Sequence, residues 1–404
     1  MSMYREEDKV NLERMRRERV EKAREQMKKD GIGAYLCFGQ GNIKYLTDTY
    51  TYLTALFFNR NVLFPRTGDP ILYEWGSRYV RVRDELAPWL KGKVKPGWRL
   101  GAYLMSGEEP REFMDDLKKV LYDHGVMNEP LAIDMPVVTL NFVDFFRKAG
   151  INAMDGGPSL RKARTIKTQD EIECLRISCA ITEEAFDAVR EAIRPGVTEN
   201  DLAAIVNNVF LRRGSDGPAE PNVCVGKNTH PNMMVYNMRA IRPGDMIFLD
   251  LHNRWRGYHS CVYRVFTCGR ASQRQKELYE ETRRLTYKAI EQVKAGNTTA
   301  DICKVWPDPE HWGFKTWRDC SENAIGHGIG LDIHEPPMIS PLFSLEHPVK
   351  LEENMVLALE TYYGTLPPGG PGEGARTEED VVVTRDGCEI LTKWPVNEIT
   401  EAWI

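Results

Sequence analysis

Along the opening segment apolar side chains recur at helical spacing among dense charges, and the pattern stops at Gly31. A short continuous apolar run follows, GAYLCF at 33 to 38, which reads as a buried strand. NVLF at 61 to 64, PILYEW at 70 to 75 and LGAYLM at 100 to 105 have the same character and are expected to be strands. EFMDDLKKVLYDHG lies after them with a helical period, so this part alternates β and α as a mixed α/β domain does. No glycine loop that could cradle a phosphate opens any of these helices, and GQGN at 39 to 42 is too short a match.

The character changes at 157 to 170, where a polar, basic stretch with a Pro-Ser turn leads into a strong helix pattern, and the domain boundary is placed there. Thr168 is the expected cap of the next helix, with Asp170 and Glu171 in its first turn where the helix dipole favours acids. That helix stops at Arg194-Pro195-Gly196, and a second starts at Thr198 and ends near Gly214. Strand-like pieces then come at PNVCVG, MIFLDLH and YHSCVYRVFTCG, a third helix spans about Gln273 to Lys294, and a glycine-rich, carboxylate-bearing stretch closes the chain.

Composition narrows the function classes. With 404 residues, 42% hydrophobic and 28% charged, the chain reads as an ordinary globular protein of more than one domain. A net charge of −5 gives no general attraction for phosphate, so nucleic acid is not an expected partner. Nine cysteines without a Cys-x-x-Cys pair fit neither a disulfide framework nor a zinc ribbon. The opening residues are charged where a signal peptide needs an apolar core, and no stretch has the length of a membrane span, so a reduced, cytoplasmic protein without membrane contact is expected.

Seven of the eight histidines lie in the second half, with only His124 before them, which directs the search for chemistry there. Asp250 and His252 stand two apart on a strand and therefore share a face. A turn through Asn253 to Gly257 should return the chain and set Ser260 or Cys261 opposite the Asp250 region. Carboxylate, imidazole and thiolate on adjoining strands suit Zn²⁺ or Fe²⁺, while a buried aspartate satisfied by backbone amides is the plainer reading. Further on, His327 sits between two glycines, His334 precedes Glu-Pro-Pro, Glu360 ends an apolar run, and Arg376 and Glu378 begin another. A carboxylate at the lip of a buried strand is costly unless paired or metal-bound.

The succession of Asp250, Gly-His-Gly-Ile-Gly with its downstream His-Glu, Glu360 and Arg376-x-Glu378 resembles the pita-bread metallopeptidase family of methionine aminopeptidase, aminopeptidase P, prolidase and creatinase. The resemblance covers roughly residues 160 to 395, and Gly-Asn-Ile-Lys-Tyr-Leu-Thr at 41 to 47 extends it to the family's small N-terminal domain. It implies an α/β (α+β) chain: a creatinase-like mixed domain at 1–160, then a pita-bread domain at 161–404 with a curved antiparallel sheet covered by helices. It also implies a site of one or two divalent ions (Zn, Fe or Mn), with Asp250, His327, Glu360 and Glu378 at ligand positions, His334 and Arg376 on the substrate side, and a carboxylate shuttling the proton.

Three departures from the family pattern qualify this. Cys261 stands where the second aspartate is expected, eleven residues after the first; His252 replaces a glycine; and the histidine expected near Met233 is displaced to His230. The segment around Asp250-x-His252 is similar to the dimethylsulfoniopropionate lyase branch, which suggests a cage of Asp250, His252, His327, Glu360 and Glu378 with Cys261 as a further ligand. The resemblance thus implies a metal-dependent hydrolase of the Xaa-Pro peptidase and creatinase type, acting on a C–N bond of a small carboxylate-bearing molecule. The alternatives are a metal-dependent lyase, a metal-free creatinase-like amidinohydrolase, or a non-catalytic binding module. Arg376 is the candidate anchor for the substrate carboxylate. A homodimer is implied, with Tyr50, Tyr52, Trp255 and Tyr258 as aromatic contacts for a substrate; for Phe57 and Phe58 plain core packing is favoured.

Overall fold

The computed structural model describes residues 9–51, 59–134, 140–232, 234–365 and 372–404. They divide into compact units, one from Asn11 to Arg164 and the other from Thr165 to the C-terminus at Ile404.

The first unit is built on a six-stranded sheet whose strands lie in the order Val94–Pro96, Ile71–Glu74, Asn61–Pro65, Ala34–Cys37, Leu131–Asp134, Ala153–Asp155. Ala34–Cys37 is central and wholly buried, as its unbroken apolar run demands; it pairs antiparallel with Asn61–Pro65 and parallel with Leu131–Asp134. Helix Leu12–Asp30 starts on an Asn11 side-chain cap and ends at Gly31, whose φ of 66° is a left-handed closure that a glycine adopts without strain. LGAYLM, expected as a strand, belongs instead to the helix Leu100–Ser106. The run contains no β-branched residue, and Gly107 just beyond it closes the helix at φ 77°.

In the second unit the expected helices form as Gln169–Ala192, Glu199–Arg212 and Gln273–Ile290. Each opens with a reciprocal capping box: Thr168 with Glu171, Thr198 with Asp201, and Ser272 with Gln275. Two sheets carry the unit. One has the order Thr400–Ala402, Val262–Cys268, Met246–Leu251, Asn222–Val225, and the other Glu335–Ile339, Ala324–Gly328, Val356–Thr365, Glu373–Val383, Cys388–Ile390. All their pairs are antiparallel except Val262–Cys268 with Thr400–Ala402. Val262–Cys268 also packs on Glu373–Val383, which brings the inner strands of both sheets together, and helix Gln273–Ile290 lies across the two longest strands. Among the described residues no helix is long and apolar enough to cross a membrane.

Candidate metal centre and substrate cleft

Asp250 lies near the end of Met246–Leu251 and His252 just beyond it, with Nε2 of His252 2.7 Å from Oδ1 of Asp250. The expected reversal occurs: Arg254–Trp255 pairs with Tyr258–His259 around Arg256 and Gly257, both at positive φ. This small hairpin takes up residues that would otherwise extend the ladder, so Tyr263, and not Ser260 or Cys261, is the register partner of Asp250. Ser260 turns away to a buried hydrogen bond with Thr182 (2.7 Å). Cys261 nevertheless meets the site, because its Sγ and one donor atom each of Asp250 and His252 lie within 4.8 Å of one another.

A second set shares that sulfur. Cys261, His327 on Ala324–Gly328 and Glu378 on Glu373–Val383 also offer atoms within 4.8 Å of one another. Nδ1 of His327 is 3.0 Å from the carbonyl of Gly328, and a carbonyl only accepts, so Nδ1 carries the hydrogen and Nε2 is left with a lone pair. Burial, reinforced by His334, pushes the His327 imidazole down to about 3, so it is neutral at physiological pH. Gly326 and Gly328 let this strand approach its neighbours: a Cβ at Gly328 would lie 2.2 Å from the Pro336 carbonyl.

The electrostatics of these side chains call for positive charge. Burial, followed by repulsion from Glu360 and Asp250, raises the Glu378 carboxyl well above its usual range, and burial with the Glu378 charge does the same to the Cys261 thiol. Both oxygens of Glu378 and Nε2 of His327 are buried with no hydrogen-bond partner. Orphaned acceptors are rare in protein interiors, and a divalent ion satisfies several of them at once. The donor set of carboxylates, imidazoles and a thiol therefore fits such an ion.

Glu360, the register partner of Glu378, is placed differently from expectation. Its Oε2 is 2.6 Å from Nε of Arg376, and among the described residues it belongs to neither donor set. Burial raises its carboxyl while Arg376 opposes that rise, and the guanidinium lies 4.8 Å over the ring of Tyr263. Arg376 also borders a cleft of about 620 Å³, together with His230, Trp312, Glu322 and Tyr362. His334 is exposed, its ring 4.2 Å from that of His327 and nearly edge-on.

The aromatic expectations need correction. Tyr258 is fully buried and donates to Oε1 of Glu171 (2.9 Å), and Trp255 is buried as well, so both are core residues without access to a substrate. They follow the site strand in sequence, but the tight hairpin that carries them packs on the helix Gln169–Ala192. Tyr50 is partly buried in the first unit, while Tyr52, Phe57 and Phe58 lie outside the described residues.

Sequence reasoning missed two residues that shape the site. Asp380 is buried and accepts from the Cys261 amide (3.1 Å) and the Cys179 thiol (3.3 Å). Its place two residues after Glu378 on one strand was the available signal. Lys167 pairs with Glu335 at 3.1 Å, both side chains nearly inaccessible, next to His334; nothing in the basic boundary stretch distinguished Lys167 from its neighbours.

Comparison with known proteins bears on the family and the fold. The model of a creatinase/prolidase N-terminal domain matches residues 19–166, and that of metallopeptidase family M24 matches residues 173–385. A Xaa-Pro dipeptidase of Pyrococcus furiosus is 30% identical over 236 residues, which are 58% of this chain and 65% of that protein. One from Lactobacillus helveticus is 29% identical over 297 residues, 71% of this chain and 76% of the relative. The chain thus spans a little less than two thirds of the Pyrococcus relative's length. In fold it is similar to the Xaa-Pro dipeptidase from Bacillus anthracis, with a TM-score of 0.74 at 23% identity over 95% of this chain and 99% of the other. The X-Pro aminopeptidase from Thermotoga maritima gives 0.72 at 24% over 95% and 99%. Matched by the family model over more than half of its length, this chain belongs to metallopeptidase family M24.

Proposed function

We propose that this protein is a metal-dependent hydrolase that cleaves a C–N bond in a small carboxylate-bearing substrate of the Xaa-Pro dipeptide kind, through an altered ligand set. The observation that carries the reading is Cys261, whose sulfur is common to the Asp250–His252 and His327–Glu378 groups. Asp250, His252, Cys261, His327 and Glu378 would hold the ion. When bound, it supplies Lewis-acid polarisation of the scissile carbonyl and a water of lowered pKa. Glu360, raised by burial, takes the proton released in the attack and returns it to the leaving nitrogen, while Arg376 steadies its position. Arg376, at the edge of the cleft, also receives the substrate carboxylate. His334 stands beside His327 and donates to the developing oxyanion. We read the active form as a homodimer in a reducing compartment; eight of the nine free cysteines are buried.

Elemental analysis of the purified protein, with a product assay on Xaa-Pro dipeptides, betaines and guanidino acids, tests this. Bound zinc or iron is expected, together with free proline from the dipeptides. Cys261→Ala should reduce metal affinity by about tenfold or more, since a ligand contributes at least as much as the outer shell does. Full activity in metal-free protein, or an unsaturated product formed without uptake of water, would overturn the proposal.

A further inference from the structure

His230 follows the short turn Gly226–Thr229 and stands half-buried on the wall of the cleft. Its Nδ1 is 2.7 Å from Oη of Tyr362, and that hydroxyl is 3.0 Å from the carbonyl of Thr229. The hydroxyl has one proton, the carbonyl can only accept, and the imidazole can do either. Both contacts are hydrogen bonds only if Nδ1–H donates to Tyr362 and Tyr362 donates to Thr229. The reverse tautomer would set two oxygen lone pairs against each other at a buried carbonyl, which costs the desolvation of that group. Nε2 of His230 is then left with a lone pair, and among the described residues it has no protein partner.

The surroundings are shaped for this arrangement. Gly364 and Gly374 are register partners on the two long strands, and both lie under the pair. A Cβ on Gly364 would come 2.3 Å from Nδ1 of His230, and one on Gly374 would come 2.3 Å from Oη of Tyr362. The amide of Gly374 donates to Oγ1 of Thr229 (3.1 Å), which ties the acceptor end of the relay to the same strand. The two rings lie parallel, 3° apart with centroids separated by 6.1 Å. Burial and the charge of Arg274 lower the His230 imidazole and keep it neutral.

We propose that Tyr362 is a positioning residue that locks His230 in its Nδ1–H form, so that His230 presents an Nε2 lone pair to an N–H donor of the substrate, an amide or an ammonium, in the cleft. The substrate half rests on the functional reading above; the locked tautomer does not. Two-bond ¹H–¹⁵N correlations on protein labelled at the histidine ring nitrogens read the tautomer, with the His230 signals assigned by their loss in His230→Gln. The Nδ1–H pattern is expected in the native protein, and Tyr362→Phe should shift it toward the Nε2–H form. For a cleaved dipeptide, Tyr362→Phe should raise KM about tenfold and leave kcat within about twofold, as loss of one binding hydrogen bond does. An Nε2–H pattern in the native protein, or a pattern unmoved in Tyr362→Phe, overturns the lock. A shifted tautomer with unchanged KM overturns the substrate role, and absence of any dipeptide cleavage counts against the functional reading while leaving the tautomer measurement decisive.

Discussion

Lys167 and Glu335 lie 3.1 Å apart with side chains 1% and 2% exposed, and the other oxygen of Glu335 accepts the amide of Asp332 (3.1 Å). Gly330 makes room for that carboxylate, because a Cβ there would fall 2.7 Å from it. Removing the ammonium takes from a buried carboxylate the cation 3.1 Å away, which costs more than the pair contributes over an apolar replacement. Lys167→Met should therefore destabilise the second unit by about 3–5 kcal/mol in a urea titration, and Lys167→Met with Glu335→Leu should recover most of the loss. A single variant as stable as the native protein would show that the pair contributes nothing. The two glutamates that face each other in register, Glu360 and Glu378, show how far neighbours decide a residue's role: one is matched by Arg376, while among the described residues the carboxylate oxygens of the other have no hydrogen-bond partner.

Helix Gln169–Ala192 begins where Thr168 and Glu171 cap each other, and Oε1 of Glu171 also receives the hydroxyl of Tyr258. Thr168→Ala should cost about 1 kcal/mol, the ordinary value of an N-cap. Glu171→Ala should cost more, because it also removes the 2.9 Å hydrogen bond from the buried Tyr258 hydroxyl. Equal losses in thermal or urea unfolding would argue against the second contact. Such caps, and the glycine and proline stops, act within a few residues of chain, which is why these helices were legible in advance. LGAYLM was not, since an apolar run of this length has the same hydrophobic profile as a strand or a helix.

Each unit has its own apolar core, so stability can be perturbed in one at a time. In the first, Asp48 is buried against Lys44 (2.9 Å) and Arg19 (3.1 Å). Burial alone would raise its carboxyl; the two cations outweigh that and hold it well below the usual carboxylate range. A depressed folded-state pKa gives stability that is complete above the unfolded value, about 4, and is lost as pH falls through the folded one. Hydrogen exchange of the segment Leu12–Thr47 should accordingly show protection that weakens below about pH 4 beyond the intrinsic rate change. Asp48→Asn should weaken protection at neutral pH and flatten that dependence; an unaltered acid profile in the variant would refute the assignment.

Much of the architecture could be read from local pattern: the buried Ala34–Cys37 strand, the capped helices, the shared face of Asp250 and His252, and the order of motifs that marks the family. These features depend on side-chain period and on residues that start or stop an element, and both are written along a short length of chain. The site depended on more. Whether Trp255 and Tyr258 face a substrate or the core, which glutamate meets Arg376, that Asp380 lies beneath Cys261, and which nitrogen of His230 carries hydrogen all follow from strands paired across long separations. A period of two tells which side of a strand a residue occupies, but only the register and the packing of one sheet on the other decide what stands opposite it.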